Sequence, residues 1–252
     1  MLAFDIPRCM AHNRCMRMTR VISAIGVCLV LLGTALGAVP MQADTSVRAY
    51  SSSSSKSSKD NFTITKYAVD MQLGRDSEKR STLKTKLTIT ANFPPEQNHG
   101  LAPEFVTQYK GHHTSFALGS VQDENGHDYE YSWSGNTLRI GNKDTYVSGS
   151  KTYVITYTQR DVTWNYGDTQ KNEFYWDVIG TSWRVPISNA TATLKLSPEL
   201  AAISRTTPQC YTGKQGSRTT CTVTSPSVDT ITASVGYLAP YAGMTLAVGF
   251  PQ

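Results

Sequence analysis

Between Arg160 and Ile187 the chain reads RDVTWNYGDTQKNEFYWDVIGTSWRVPI, which gathers Trp164, Tyr166, Phe174, Tyr175, Trp176 and Trp183 with the acids Asp161, Asp168, Glu173 and Asp177. Exposed aromatic rings stack on the C–H faces of sugar rings, while neighbouring carboxylates and amides fix the hydroxyls. Alternation sorts these residues. Phe174 and Trp176 share a strand face with Val178 and are expected in the core; Tyr175 shares the other face with Glu173 and Asp177. Trp164 and Tyr166 stand beside the turn at Tyr166-Gly167-Asp168 and are expected at the surface. The candidate ligand-binding residues are therefore Trp164, Tyr166, Glu173, Tyr175 and Asp177. The competing expectation is that the whole aromatic block is core packing.

The same acids admit a second chemistry. A glycosidase needs two carboxylates at a set separation across a cleft. Glu173, Asp177 and Asp168 would supply them in a carbohydrate- or peptidoglycan-active enzyme, the alternative reading. Spacing alone cannot show that separation, and acids at strand ends and turns are ordinarily solvated or paired. His112 and His113 could contribute to a zinc or copper site, but adjacent residues on a strand point to opposite faces, so sharing one ion would need a loop. The sequence has no HExxH, no G-x-S-x-G elbow and no Gly-rich phosphate loop. No catalytic residue, metal site or cofactor is assigned, and a non-enzymatic binding or structural module is expected.

The elements that must carry these residues are strands. Tyr67, Val69, Met71 and Leu73 alternate with polar residues, as do Leu83, Leu87 and Ile89. So do Tyr153 with Ile155, Ala192 with Leu194 and Leu196, and Met244 with Leu246, Val248 and Phe250. Such alternation marks half-buried antiparallel strands. Asp123-Glu124-Asn125-Gly126, Ser134-Gly135-Asn136 and Ser148-Gly149 punctuate them as turns. Short helical turns are expected only near Ala102–Tyr109 and Pro198–Ala202. The fold expected is all-β: an antiparallel β-sandwich, one large domain over residues 61–252.

Upstream, Arg8, Arg14, Arg17 and Arg20 precede an uncharged apolar run from Val21 to Val39. That is the plan of a secretory signal peptide, assigned to residues 1–43, with cleavage after Ala43 or Ala38 or retention as an anchor. Met16 or Met18 would serve equally well as the start. Residues 44–60, with the run SSSSSKSSKD, read as a flexible linker. The remainder is expected outside the cytoplasm, secreted or held at the cell membrane.

Beyond the leader only Cys210 and Cys221 remain, and in an exported chain they read as a disulfide closing a short loop. A zinc site is disfavoured, since two thiolates without a nearby His leave the shell incomplete. Without residues 1–43 the chain keeps 20 basic and 18 acidic residues. That balance gives no reason to invoke nucleic acid. The partners expected are a cell-envelope glycan or another surface protein, with the membrane reached through the N-terminal segment or a missing C-terminal part.

The stretch Leu138-Arg139-Ile140-Gly141, the segment Gly149 to Tyr157 and the block Asn172 to Gly180 form a recognisable series with Trp183 and Val185-Pro186-Ile187. It resembles the uncharacterised family DUF2207 of predicted membrane proteins. Thr212-Gly213 between Cys210 and Cys221, and the close from Leu238-Ala239-Pro240 to Phe250-Pro251, are similar to that family as well. Near Asn98-His99-Gly100-Leu101, Pro103 stands where the family has an arginine. The resemblance covers roughly residues 61–252. It implies an extracytoplasmic β-sandwich normally followed by transmembrane helices, so this chain reads as a fragment, a truncated frame or a secreted variant. It implies no activity.

Overall fold

The computed structural model describes residues 60–109, 112–166, 171–204 and 206–251. Sixteen strands and one short helix follow one another there. The first eight strands are β1 (Thr63–Arg75), β2 (Ser81–Asn98), β3 (Gln108–Tyr109), β4 (His112–His113), β5 (Phe116–Gln122), β6 (Tyr131–Ser134), β7 (Thr137–Ile140) and β8 (Val147–Arg160). Then come β9 (Trp164–Tyr166), β10 (Lys171–Ile179), β11 (Ile187–Leu196), α1 (Pro198–Ile203), β12 (Gln209–Gly213), β13 (Thr219–Thr220), β14 (Thr222–Ser227), β15 (Thr230–Leu238) and β16 (Gly243–Phe250). All described residues belong to one unit, Ser53–Gln252. The expected leader and all of the expected linker but Asp60 lie outside the described residues.

The strands form a seven-stranded sheet, ordered β14-β15-β11-β1-β2-β8-β5, and a five-stranded sheet, ordered β13-β12-β16-β10-β9. Two small hairpins, β3-β4 and β6-β7, complete the set. The inner faces are apolar because period-two alternation sends every second side chain inward. From the large sheet come Tyr67, Val69, Met71, Leu73, Leu83, Ile89, Tyr153, Ile155 and Leu194; from the small sheet come Phe174, Trp176, Met244, Leu246, Val248 and Phe250. They form one continuous cluster, which makes the two sheets a sandwich. Each large side chain so buried stabilises the fold by roughly 1.5–3 kcal/mol before entropy is counted.

Sheet neighbours run antiparallel with one exception. β1 and β11 pair in parallel, from Ile64 opposite Ile187 to Leu73 opposite Leu196. β10 belongs to the other sheet, so the chain crosses over before β11. Trp183 and Val185 are buried along that crossing, and the carbonyl of Pro186 accepts the amide of Ile64 at 3.1 Å. Trp183 packs edge-on against Tyr67, ring centroids 5.9 Å apart.

The expected helical turn at Pro198 is present. Ser197 caps α1, its Oγ accepting the amide of Leu200 at 3.4 Å, with Pro198 at the first position. The one expected near Ala102–Tyr109 is not. Leu101, Pro103 and Phe105 are buried while Ala102 and Glu104 are exposed, a strand-like alternation. The segment runs beside β7: Leu138 donates to the carbonyl of Pro103 and Phe105 to that of Asn136, both at 2.9 Å. Proline biases the residue before it towards extended backbone, which suits this pairing and not a helix.

The passage from the large sheet to the small one is fixed at Ser81. Its buried hydroxyl accepts the amides of Val162 at 2.9 Å and Thr163 at 3.1 Å, just before β9 begins. β9 is thereby delivered to the edge of β10.

Candidate functional site

Register sets the geometry of the aromatic block. Glu173 of β10 stands opposite Trp164 of β9, and Lys171 opposite Tyr166. Directly opposed residues share a face. Phe174, Trp176 and Val178 point into the core, at 0%, 6% and 8% exposure, while Trp164 on the other face is 42% exposed. Glu173 and Tyr175 are half-buried and Asp177 is exposed. Trp164, Glu173, Tyr175 and Asp177 therefore lie together on the outer face of the five-stranded sheet. The backbone of Tyr166 follows the same register, but its side chain and all of Asp168 lie outside the described residues.

The next strand gives this face a floor. In β16, Thr245, Ala247 and Gly249 stand opposite Asp177, Tyr175 and Glu173. These are small side chains, so the aromatic and acidic column of β10 rises as a wall beside a shallow valley. At one end Thr206 covers Gly249, its Oγ1 donating to the glycine carbonyl at 2.7 Å and accepting its amide at 3.0 Å. The second wall is β12, where Gln209 pairs with Ala247 and Tyr211 with Thr245.

The far end is closed by the turn between β12 and β13. A cleft of about 500 Å³ lies there, among Tyr175, Asp177, Tyr211, Thr245 and the turn residues from Gly213 to Arg218. Cys210 and Cys221 are joined across the base of this turn, Cα atoms 5.1 Å apart. Gly213 has φ +119°, and a side chain there would meet Ser217, Oγ at 2.7 Å and Cβ at 2.9 Å. Only glycine lets the turn fold back so closely. Asp177 is the one carboxylate lining the cleft among the described residues, and Thr245 Oγ1 donates to it at 2.6 Å.

Sequence reasoning found Tyr175 and Asp177 but missed Tyr211, Thr245, Lys214 and Arg218. The available signal was the pair of cysteines around Tyr211, Gly213 and Gly216. Which strand that loop would lie beside is a long-range fact, invisible to alternation.

A second hollow, about 600 Å³, lies on the seven-stranded sheet among Asp70, Lys84, Lys86, Lys195, Thr156, Thr158 and Thr193. Its one aromatic, Tyr157, is packed against Phe105 and Phe116, with centroids 5.0 and 5.2 Å away. Among the described residues no group of three or more His, Cys, Asp or Glu is placed to hold a metal ion. Nor is any helix there long and apolar enough to cross a membrane.

A two-sheet all-β domain with a polar-aromatic outer face is the class these features define. The family described as "Predicted membrane protein (DUF2207) N-terminal domain" matches residues 63–250, and the chain belongs to that family of predicted membrane proteins. No curated protein matches the chain. Among solved structures it is similar to an M1 zinc metallopeptidase from Deinococcus radiodurans, with 12% identity, a TM-score of 0.42, and coverage of 75% of this chain and 42% of that one. It is also similar to native leukotriene A4 hydrolase from Saccharomyces cerevisiae, with 12% identity, a TM-score of 0.45, and coverage of 75% and 29%. The chain thus spans less than half the length of either enzyme.

Proposed function

We propose that this domain is a non-enzymatic recognition module on the extracytoplasmic side of the membrane, and that its outer five-stranded face holds an envelope glycan. Another surface protein is the alternative partner. The observation that carries the reading is the valley along β16, floored by Thr245 and Ala247 between walls that present Tyr175 and Tyr211. A small-residue floor between aromatic walls accepts the flat face of a sugar ring, and nearby polar groups fix its orientation. The basic-then-apolar leader and the cross-linked Cys210–Cys221 pair support the placement outside the cytoplasm.

The enzymatic alternative has weaker support. Glu173 and Asp177 lie four residues apart on one strand, about 13 Å at the usual strand rise. Glycosidase carboxyl groups stand roughly 5–9.5 Å apart. A screen of glycans and cell-wall fragments against the purified chain tests the reading, with Trp164→Ala and Tyr175→Ala as controls. Binding that falls with Tyr175→Ala, and less with Trp164→Ala on the far side of β10, is the expected result. Turnover of a fragment, lost on Glu173→Gln, would replace recognition with catalysis.

A further inference from the structure

The cleft at the closed end of the valley has an unbalanced chemistry. Lys214 and Arg218 line it from the turn, and both are exposed. Neither has an ion-pair partner among the described residues. The one carboxylate lining the cleft among the described residues, Asp177, accepts a hydrogen bond from Thr245 Oγ1 and forms an ion pair with neither. The cleft thus holds two cations and two tyrosines against a single carboxylate, an excess of positive charge.

The turn that carries them is tied down from several directions. Tyr211 pairs with Thr220 and Thr212 with Thr219 on its two arms. The amide of Ser217 donates to the carbonyl of Lys214 at 2.9 Å, and Ser217 Oγ accepts the amide of Thr219 at 3.3 Å. The Cys210–Cys221 bond closes the base. A backbone ordered in advance loses little entropy on binding, which leaves mainly the two cationic side chains to be ordered by a ligand.

We infer that this cleft takes a sugar unit bearing one anionic group, its carboxylate or phosphate held by Lys214 and Arg218. The ring would lie against Tyr175 and Tyr211, and its hydroxyls would reach Asp177 and Thr245. Arginine forms paired hydrogen bonds with either kind of anion, while lysine adds a point charge. The inference rests on the reading of this face as a glycan site and adds the charge class of the glycan.

Calorimetric titration of the purified chain tests it, using a uronic-acid oligosaccharide, a phosphate-bearing sugar, a neutral oligosaccharide of equal length and an acidic peptide. At low salt one anionic sugar is expected to bind at least about tenfold more tightly than the neutral one, a margin of about 1.4 kcal/mol. Which one does so distinguishes carboxylate from phosphate. The double variant Lys214→Gln with Arg218→Gln should bind the charged and the neutral sugar alike. The charge-conserving pair Lys214→Arg with Arg218→Lys should retain most of the margin, which controls for folding. Equal affinity for charged and neutral sugars, or an unaffected double variant, overturns the anionic assignment and leaves glycan recognition standing. Tighter binding of the acidic peptide, or no binding of any sugar by the disulfide-bonded protein, overturns both.

Discussion

Trp164 and Glu173 stand directly opposite each other on β9 and β10, and two residues further along the same face is Tyr175. One step off that register, Phe174 and Trp176 stack on each other inside the core, centroids 5.9 Å apart. A single strand thus carries core on one side and candidate site on the other.

That division makes opposite demands on neighbouring residues. Phe174→Ala should destabilise the domain by about 3–5 kcal/mol, because it leaves a cavity at a fully buried position. Trp164→Ala, at a 42% exposed position, should cost about 1 kcal/mol or less. Denaturant unfolding of the two variants measures the difference, and comparable losses would show that Trp164 is core.

The disulfide couples stability to the shape of the cleft. Its cysteines are 11 residues apart, and closing so short a loop contributes roughly 2–3 kcal/mol. Replacing Cys210 and Cys221 together by serine should lower the unfolding free energy by about that amount and weaken any ligand of the cleft. Unfolding with and without reductant should give the same difference in the native protein and none in the double variant.

Acid should loosen the turn at Asp123. The backbone N–H of His127, with its imidazole and the N–H of Asn125, holds the Asp123 carboxyl at about 2, below its ordinary 3.8. A carboxyl depressed on folding stabilises above its unfolded value, and that contribution fades as pH falls through the folded one. The loss should therefore run from about pH 4 down to about 2. Asp123→Asn should remove that part of the acid dependence, read as unfolding midpoints across the window.

Much of this architecture is legible along the chain. Alternation places Phe174 and Trp176 inside and Tyr175 outside, because period two is a local property of strands. The Cys210–Cys221 pairing follows from the count of cysteines and the expectation of an exported chain. The parallel pairing of β1 with β11 does not, because it depends on β10 leaving for the other sheet. The extended course of residues 101–105 is likewise set by a partner, β7, distant in sequence. The cationic side of the cleft stays hidden for the same reason. Lys214 and Arg218 reach Tyr175 and Asp177 only through the order β12-β16-β10.

A binding surface on the outer face of the five-stranded sheet puts Tyr175 at its centre. The most direct measurement is the dissociation constant of the tightest glycan found, for the native chain, Tyr175→Ala and Lys84→Ala. Lys84 lines the hollow on the opposite sheet and serves as the control. Tyr175→Ala should lose at least about tenfold in affinity, about 1.4 kcal/mol, and Lys84→Ala should change nothing. Loss confined to Lys84→Ala would move the site to the seven-stranded sheet and contradict that placement.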